Sequence, residues 1–242
     1  MKKIKILSWN IWCGTYLNEV IKFLQKNKVD IISFQEVIEN NSGNIAKMIA
    51  EKLGYEYVYA IDMDMPLKWL PGYEKDNKKT IKMGNAILSR YKIVESKVHK
   101  LIKNEQRSVI EANIYIGDVL LNVFSVHIMH THQKQLDLQD LQIENLLKIL
   151  PEKNTIVMGD FNSLPNSSVI QRMNKSLNNS EINCNTPTWS VYKDGCDICK
   201  VDKVICKLDY IFTSKDIVTN SFRVYSSKAS DHLPVSTFLE LK

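Results

Sequence analysis

Apolar residues recur along this chain with two periods. Leu17, Val20, Ile21 and Leu24 are spaced i, i+3, i+4, i+7, as are Ile143, Leu146, Leu147 and Leu150, and Ile45, Met48, Ile49 and Leu53 come close to it. That spacing gathers apolar side chains on one face of a helix. A fourth helix is expected over 167–177, with Val169, Ile170, Met173 and Leu177 inward and Pro165-Asn166 marking its start. Strand-like runs occur at 3–9, 30–34, 55–60, 86–89, 93–98, 108–115, 119–126, 155–158, 208–213, 221–225 and 235–239. These are too many for one ordinary sheet, and helices fall in both halves, so the pattern predicts two sheets face to face with helices outside. Residues 61–83 show no clear period and are expected to form a long loop. Its Trp69, Tyr73 and lysines would either stack on bases and hold phosphates or make a solvated insertion.

Several apolar runs end in a polar group. Asn10 follows the first run, Gln35 and Glu36 follow the second, and Asp160 and Asn162 close Val157-Met158-Gly159-Asp160-Phe161-Asn162. Asp231 and His232 stand together just before the last run. In an open α/β sheet, ligands are met just past the strand ends. Taken singly, each of these residues is an ordinary turn former. Together and in this order they describe a metal-assisted hydrolase centre, and hard oxygen donors suit magnesium or manganese.

The stretches Leu7-Ser8-Trp9-Asn10-Ile11, Phe34-Gln35-Glu36-Val37, Gly84-Asn85-Ala86-Ile87-Leu88-Ser89-Arg90, Ser125-Val126-His127, Gly159-Asp160-Phe161-Asn162-Ser163, Leu208-Asp209-Tyr210-Ile211-Phe212 and Ser230-Asp231-His232-Leu233-Pro234 then carry a resemblance. The chain resembles the endonuclease/exonuclease/phosphatase superfamily, also called DNase I-like, over essentially its whole length. The resemblance implies a single domain over 1–242 of α/β (α+β) class: a four-layer α/β/β/α sandwich of two face-to-face mixed β-sheets flanked by helices. It also implies Glu36 as principal metal ligand with Asn10 and Asp231, His232 facing the scissile phosphate with Asp209 behind it, Asp160 on the attacking water and Asn162 on a phosphate oxygen. Arg107 matches a substrate-contacting arginine. His127 matches the second histidine of the DNase-type branch, whose partner there is a glutamate. Here the corresponding position offers only Asn85, which is taken with Arg107 as substrate-binding. A tyrosine in place of His127 would be expected of an abasic-site repair enzyme.

The implied activity is metal-dependent phosphoester hydrolysis, with phosphodiesters of nucleic acid the first expectation. A phosphatase, a phospholipase C-type enzyme acting on sphingomyelin or inositol phosphates, and a 5′-tyrosyl-DNA phosphodiesterase would use the same groups. A non-enzymatic binding module would have lost ligands, and all the expected ones are present. His130 and His132 have no counterpart in the resemblance and read as loop residues.

Composition adjusts this picture little. The 242 residues carry 44% hydrophobic and 24% charged side chains, ordinary for a globular protein. A net charge of +5 suits a polyanionic substrate, yet the basic residues form no concentrated stripe. The first residues lack the apolar stretch of a secretory signal and no run reaches a membrane span, so a cytoplasmic monomer is expected. Cys196 and Cys199 have zinc-knuckle spacing, which Cys184 and Cys206 could complete as a structural zinc site. The alternatives are inert thiols or redox chemistry.

Overall fold

Strand alternation sorts the side chains of this protein into three apolar layers. The computed structural model describes residues 2–40, 43–70, 73, 75, 78–103, 105–132, 134, 136–193 and 203–241. Among them the chain runs β1 (Lys2–Asn10), α1 (Leu17–Asn27), β2 (Ile31–Asn40), β3 (Gly43–Asn44), α2 (Ile45–Leu53), β4 (Glu56–Pro66), β5 (Thr80–Ser89), β6 (Ile93–Lys100), β7 (Ser108–Ile116), β8 (Val119–His127), α3 (Asp137–Ile149), β9 (Thr155–Asp160), α4 (Ser168–Ser176), β10 (Asn178–Asn179), β11 (Asp209–Thr213), β12 (Val218–Val224) and β13 (Val235–Leu241).

One sheet has the order β12-β13-β1-β2-β5-β4, with β3 hooked onto β2, and the other has the order β10-β11-β9-β8-β7-β6. Each is mixed, because β1 runs parallel to β2 and β8 parallel to β9 while the remaining pairs are antiparallel. Ile4, Ile6, Ile31 and Ile87 of the first sheet pack against Ile110, Ile114, Ile156, Met158 and Ile211 of the second. The alternate residues Leu7, Trp9, Ile32 and Phe34 point the other way, onto Val20, Ile21 and Leu24 of α1 and Ile45, Ile49 and Ala50 of α2. On the far side, Phe124, Val126, Val157, Tyr210 and Phe212 meet Ile143 and Leu146 of α3 and Val169, Ile170 and Met173 of α4. The helix faces are those the 3.6-residue spacing selects, except that Met48 of α2 is exposed while Ala46 and Ala50 turn inward, and the four layers follow.

Local signals end the helices where the layers need them to end. The Asn44 side chain caps α2 by accepting from Lys47 N at 2.7 Å, and α2 stops at Gly54, whose left-handed φ of 71° lets its N–H reach Ala50 O. Ser167 caps α4 through Ile170 N.

Two expectations change, and one falls partly outside the described residues. Residues 61–83 are not one long loop: β4 runs through Pro66 and β5 begins at Thr80, leaving only 67–79 between them. The register shift between Ile61 and Met63 breaks the alternation that would have signalled β4. β2 likewise continues past Phe34 to Asn40 through a register shift. Of the proposed zinc ligands, Cys196 and Cys199 lie outside the described residues, and Cys184 and Cys206 carry free thiols raised by burial. No helix among the described residues is long and apolar enough to cross a membrane.

Candidate active site

The layer between the sheets is apolar at one end and polar at the other. Moving along the inner face of β1, Ile4 and Ile6 give way to Ser8 and then Asn10, all fully buried. On β2 the inner positions after Ile31 are Ser33 and Gln35. Ser33 Oγ donates to Ser125 Oγ of β8 at 2.7 Å, and Gln35 Nε2 donates to Ser33 Oγ at 2.8 Å. This hydroxyl and amide layer joins the sheets beneath a cluster of charged groups at their ends.

Glu36 reaches that cluster through a bulge. Strict alternation would send it outward with Phe34, but the β2–β5 register shifts between Phe34 and Val37 and Glu36 takes φ of 56°. The extra residue re-aims the side chain inward while Val37 returns to the helix layer. Asn10 Nδ2 then donates to Glu36 Oε1 at 3.0 Å and to Asp160 Oδ2 at 3.2 Å.

The second sheet supplies three partners in register. His127 is paired with Asp160 across β8 and β9, and Asp160 with Asp209 across β9 and β11. Closing β8 onto β9 requires Gly159, where a Cβ would lie 1.9 Å from Val126 O. The loop before β13 completes the group. Trp9 Nε1 donates to His232 O at 2.9 Å, Ser230 Oγ donates to Asn10 O at 2.7 Å, and Trp189 Nε1 donates to Asp231 Oδ2 at 3.1 Å. His232 Nδ1 lies 2.9 Å from Asp209 Oδ2, and the Nε2 atoms of His127 and His232 each lie 3.6 Å from Asp160 Oδ2.

The resulting pocket is lined by Glu36, Arg107, His127, His130, Asp160, Asn162, Trp189, Asp231 and His232. Ten residues were expected at the site, and seven of them line the pocket. Asn10 stands beneath it, Asp209 behind His232, and Asn85 away from it with its Nδ2 on Asp62 at 3.1 Å. Asn162 has φ of 47° and donates to Ile128 O at 3.0 Å. Asp62, His130 and Trp189 were not expected. Asp62 follows an apolar run as Asn10 and Glu36 do, so the same signal marks it, had the run not been read as entering a loop.

Burial raises Glu36, and raises Asp160 and Asp231 to about 6; Glu36 adds to the rise at Asp231. Burial opposes the charge of His232, yet Asp209, Asp160 and Asp231 outweigh it and lift the imidazole well above its usual value. Burial and then Arg107 push His127 well below its usual value, and burial and then His132 push His130 down to about 4. The His130 Nε2 atom is buried without a hydrogen-bond partner among the described residues.

Two groupings could in principle hold a cation. Asp160, Asp209 and His232 offer ligand atoms within 4.8 Å of one another. There, however, Asp209, Asp160 and Asp231 favour the protonated form of the His232 ring, which has no lone pair to offer a cation. Glu36 and Asp231 fit better: they are buried carboxylates whose mutual repulsion a divalent cation would relieve, with the Asn10 side chain against Glu36.

Known structures share this architecture. An endonuclease/exonuclease/phosphatase from Bacteroides vulgatus is similar with a TM-score of 0.77 at 15% identity, covering 100% of both chains. The human Nocturnin catalytic domain with bound sulfate is similar with a TM-score of 0.74 at 18% identity, over 99% of this chain and 95% of that one. ANGEL2, a 2′,3′-cyclic phosphatase, matches with a TM-score of 0.74 at 13% identity, over 98% of this chain and 95% of that one. No curated protein matches by sequence. The model of the endonuclease/exonuclease/phosphatase family matches residues 7–232, an interval that contains every group gathered at the sheet ends from Asn10 to His232, and the chain belongs to that family.

Proposed function

We propose that this protein is a divalent metal-dependent phosphoesterase that cleaves phosphodiester bonds, with nucleic acid as its substrate class. The observation that carries the reading is the placing of an imidazole–carboxylate pair, His232–Asp209, across one pocket from the buried carboxylates Glu36 and Asp231, with Asp160 between them. Glu36 and Asp231, with Asn10, would hold magnesium or manganese, which when bound neutralises charge on the phosphoryl oxygens. Asp209 holds the His232 ring in orientation and favours its protonated form, so Nε2–H offers a charged hydrogen bond to a phosphate oxygen. Asp160, held by Asn10 and the Asn162 N–H, is placed to orient an attacking water and take its proton. Arg107 and Asn162 line the same pocket and supply further phosphate contacts.

The net charge of +5 supports a polyanionic substrate. The Nocturnin domain, similar in fold, carries a sulfate, a tetrahedral oxyanion like phosphate, and ANGEL2 is a 2′,3′-cyclic phosphatase. The deciding experiment is a magnesium- and manganese-supplemented panel of supercoiled plasmid, abasic and 5′-tyrosyl oligonucleotides, RNA, 2′,3′-cyclic phosphate ends, sphingomyelin and inositol phosphates, each with a chelator control. Chelator-sensitive cleavage of a polynucleotide is expected. Hydrolysis that survives chelation removes the metal, and turnover confined to lipid or inositol phosphates removes nucleic acid.

A further inference from the structure

His127 and His232 face the same carboxylate from opposite sides, but what stands behind each ring differs. Behind His232 is Asp209, an acceptor. Behind His127 is Arg107, whose Nη1 lies 2.8 Å from Nδ1. A guanidinium has donors only, so the nitrogen that meets it must present a lone pair. A neutral imidazole with its lone pair on Nδ1 carries its proton on Nε2, the atom that looks toward Asp160 and the pocket. Protonating Nδ1 would set two N–H groups and two positive charges against each other at 2.8 Å inside the protein.

Arg107 is itself held. Asp62 Oδ2 lies 3.7 Å from Arg107 Nη1, and the remaining capacity of that carboxylate is taken up by Ser108 N at 2.9 Å, Ser108 Oγ at 2.6 Å and Asn85 Nδ2 at 3.1 Å. Asp62, Arg107 and His127 are all buried, and Asp62 sits at the β4 bulge, which turns it toward the start of β7. We propose that Asp62 is a positioning residue that acts through Arg107 to hold His127 as a neutral imidazole with its proton on Nε2. His127 then serves the phosphoester as a hydrogen-bond donor and not as a proton acceptor.

The charged and titratable groups that face His127 are Arg107 from the start of β7, Asp160 from β9, His232 from the loop before β13 and His130 from the chain after β8. Three of the four oppose a positive charge on the ring, and Asp160 is drawn equally by His232. The geometry thus assigns the two histidines different work: His232 brings charge to the phosphate and His127 brings a fixed, uncharged donor. Burial and Arg107 lowering His127 agree with this.

The donor's target rests on the phosphoesterase reading, whereas the tautomer does not, so the two fail separately. The test is nitrogen-15 NMR of the histidine rings in the full-length protein, with Asp62→Asn and Arg107→Met beside it. In the wild-type protein His127 should show a pyridine-type Nδ1 and a pyrrole-type Nε2 unchanged across the neutral range. Asp62→Asn should let His127 shift toward a tautomer mixture that titrates nearer the ordinary imidazole value. It should also lower kcat roughly 10- to 100-fold, as loss of an outer-shell partner does elsewhere. Arg107→Met should release the ring further. A protonated Nδ1 on His127 in the wild-type protein overturns the proposal even if the variants fail to fold. An Asp62→Asn protein that loses activity while its His127 signals stay unchanged makes Asp62 merely structural and overturns it as well.

Discussion

At Glu36 a bulge, a left-handed backbone and an asparagine donor converge on one carboxylate. A protein keeps a buried, raised acid in such a conformation at a cost in stability, and strain of this kind collects where chemistry is done. Glu36→Ala is therefore expected to abolish metal-dependent hydrolysis without lowering the melting temperature of metal-free protein. Full turnover by that variant at low magnesium would remove Glu36 from the site. At the dyad, His232→Ala deletes the charged donor and should cost about 10²–10⁴-fold in kcat. Asp209→Asn keeps an acceptor behind the ring and should cost noticeably less. Steady-state kinetics of the two variants on one substrate checks the order, and wild-type rates in both would place the phosphate elsewhere.

At the scale of elements, the candidate site is built from strand ends of both sheets whose spacing is set by backbone contact. Gly159→Ala would drive a methyl into Val126 O, prising β8 from β9 and displacing the paired His127 and Asp160. Activity is expected to fall steeply along with stability, and a variant with both intact would mean that this approach is not needed. The connection between β4 and β5 carries Trp69, 58% exposed, with Lys78 and Lys79 nearby. If it engages a polynucleotide, Trp69→Ala and Lys78→Ala/Lys79→Ala should raise KM for that substrate, and added salt should do so steeply, while a small phosphodiester is unaffected. Equal responses of the two substrates would disconnect this segment from the nucleic acid. These elements also mark how far the sequence could be read. Asn10 and Asp160 were legible because uninterrupted alternation carries them to the inner face, and Asp231 and His232 because their neighbours form a motif. Asp62 was not, since the bulge between Ile61 and Met63 shifts the phase of the pattern. His130 was not, because it lies in irregular chain after β8, where no period predicts direction. Glu36 was found by motif, but the bulge that turns it inward left no trace in the periodicity.

For the whole molecule, clustered buried acids make stability depend on pH and metal together. Asp62, Asp160 and Asp231 are each pushed up from 3.8 to about 6, so between about pH 4 and 6 the folded chain binds more protons than the unfolded one. Their contribution to stability therefore falls as pH rises through that window. His232 acts in the same sense higher up: its raised value adds stability that is fully present below the ordinary imidazole range and lost as pH rises through the folded value. Magnesium binds only ionised carboxylates, so it should raise the melting temperature more at about pH 8 than at about pH 5. Calorimetry with and without the ion reads this directly, and an equal rise at both values would dissociate the carboxylate cluster from metal binding.

The order of synthesis bears on this chemistry too. Asn10 and Glu36 are made early, but Asn10 is fastened to Ser230, Trp9 to His232, and β1 lies between β2 and β13. A ribosome-bound chain that has not yet released its last strand carries an open β1 edge and lacks both Asp231 and His232. On the proposed reading, such a nascent chain would be inactive toward phosphoesters. A chain ending before Ser230 would stay so, with an unpaired strand edge that invites aggregation.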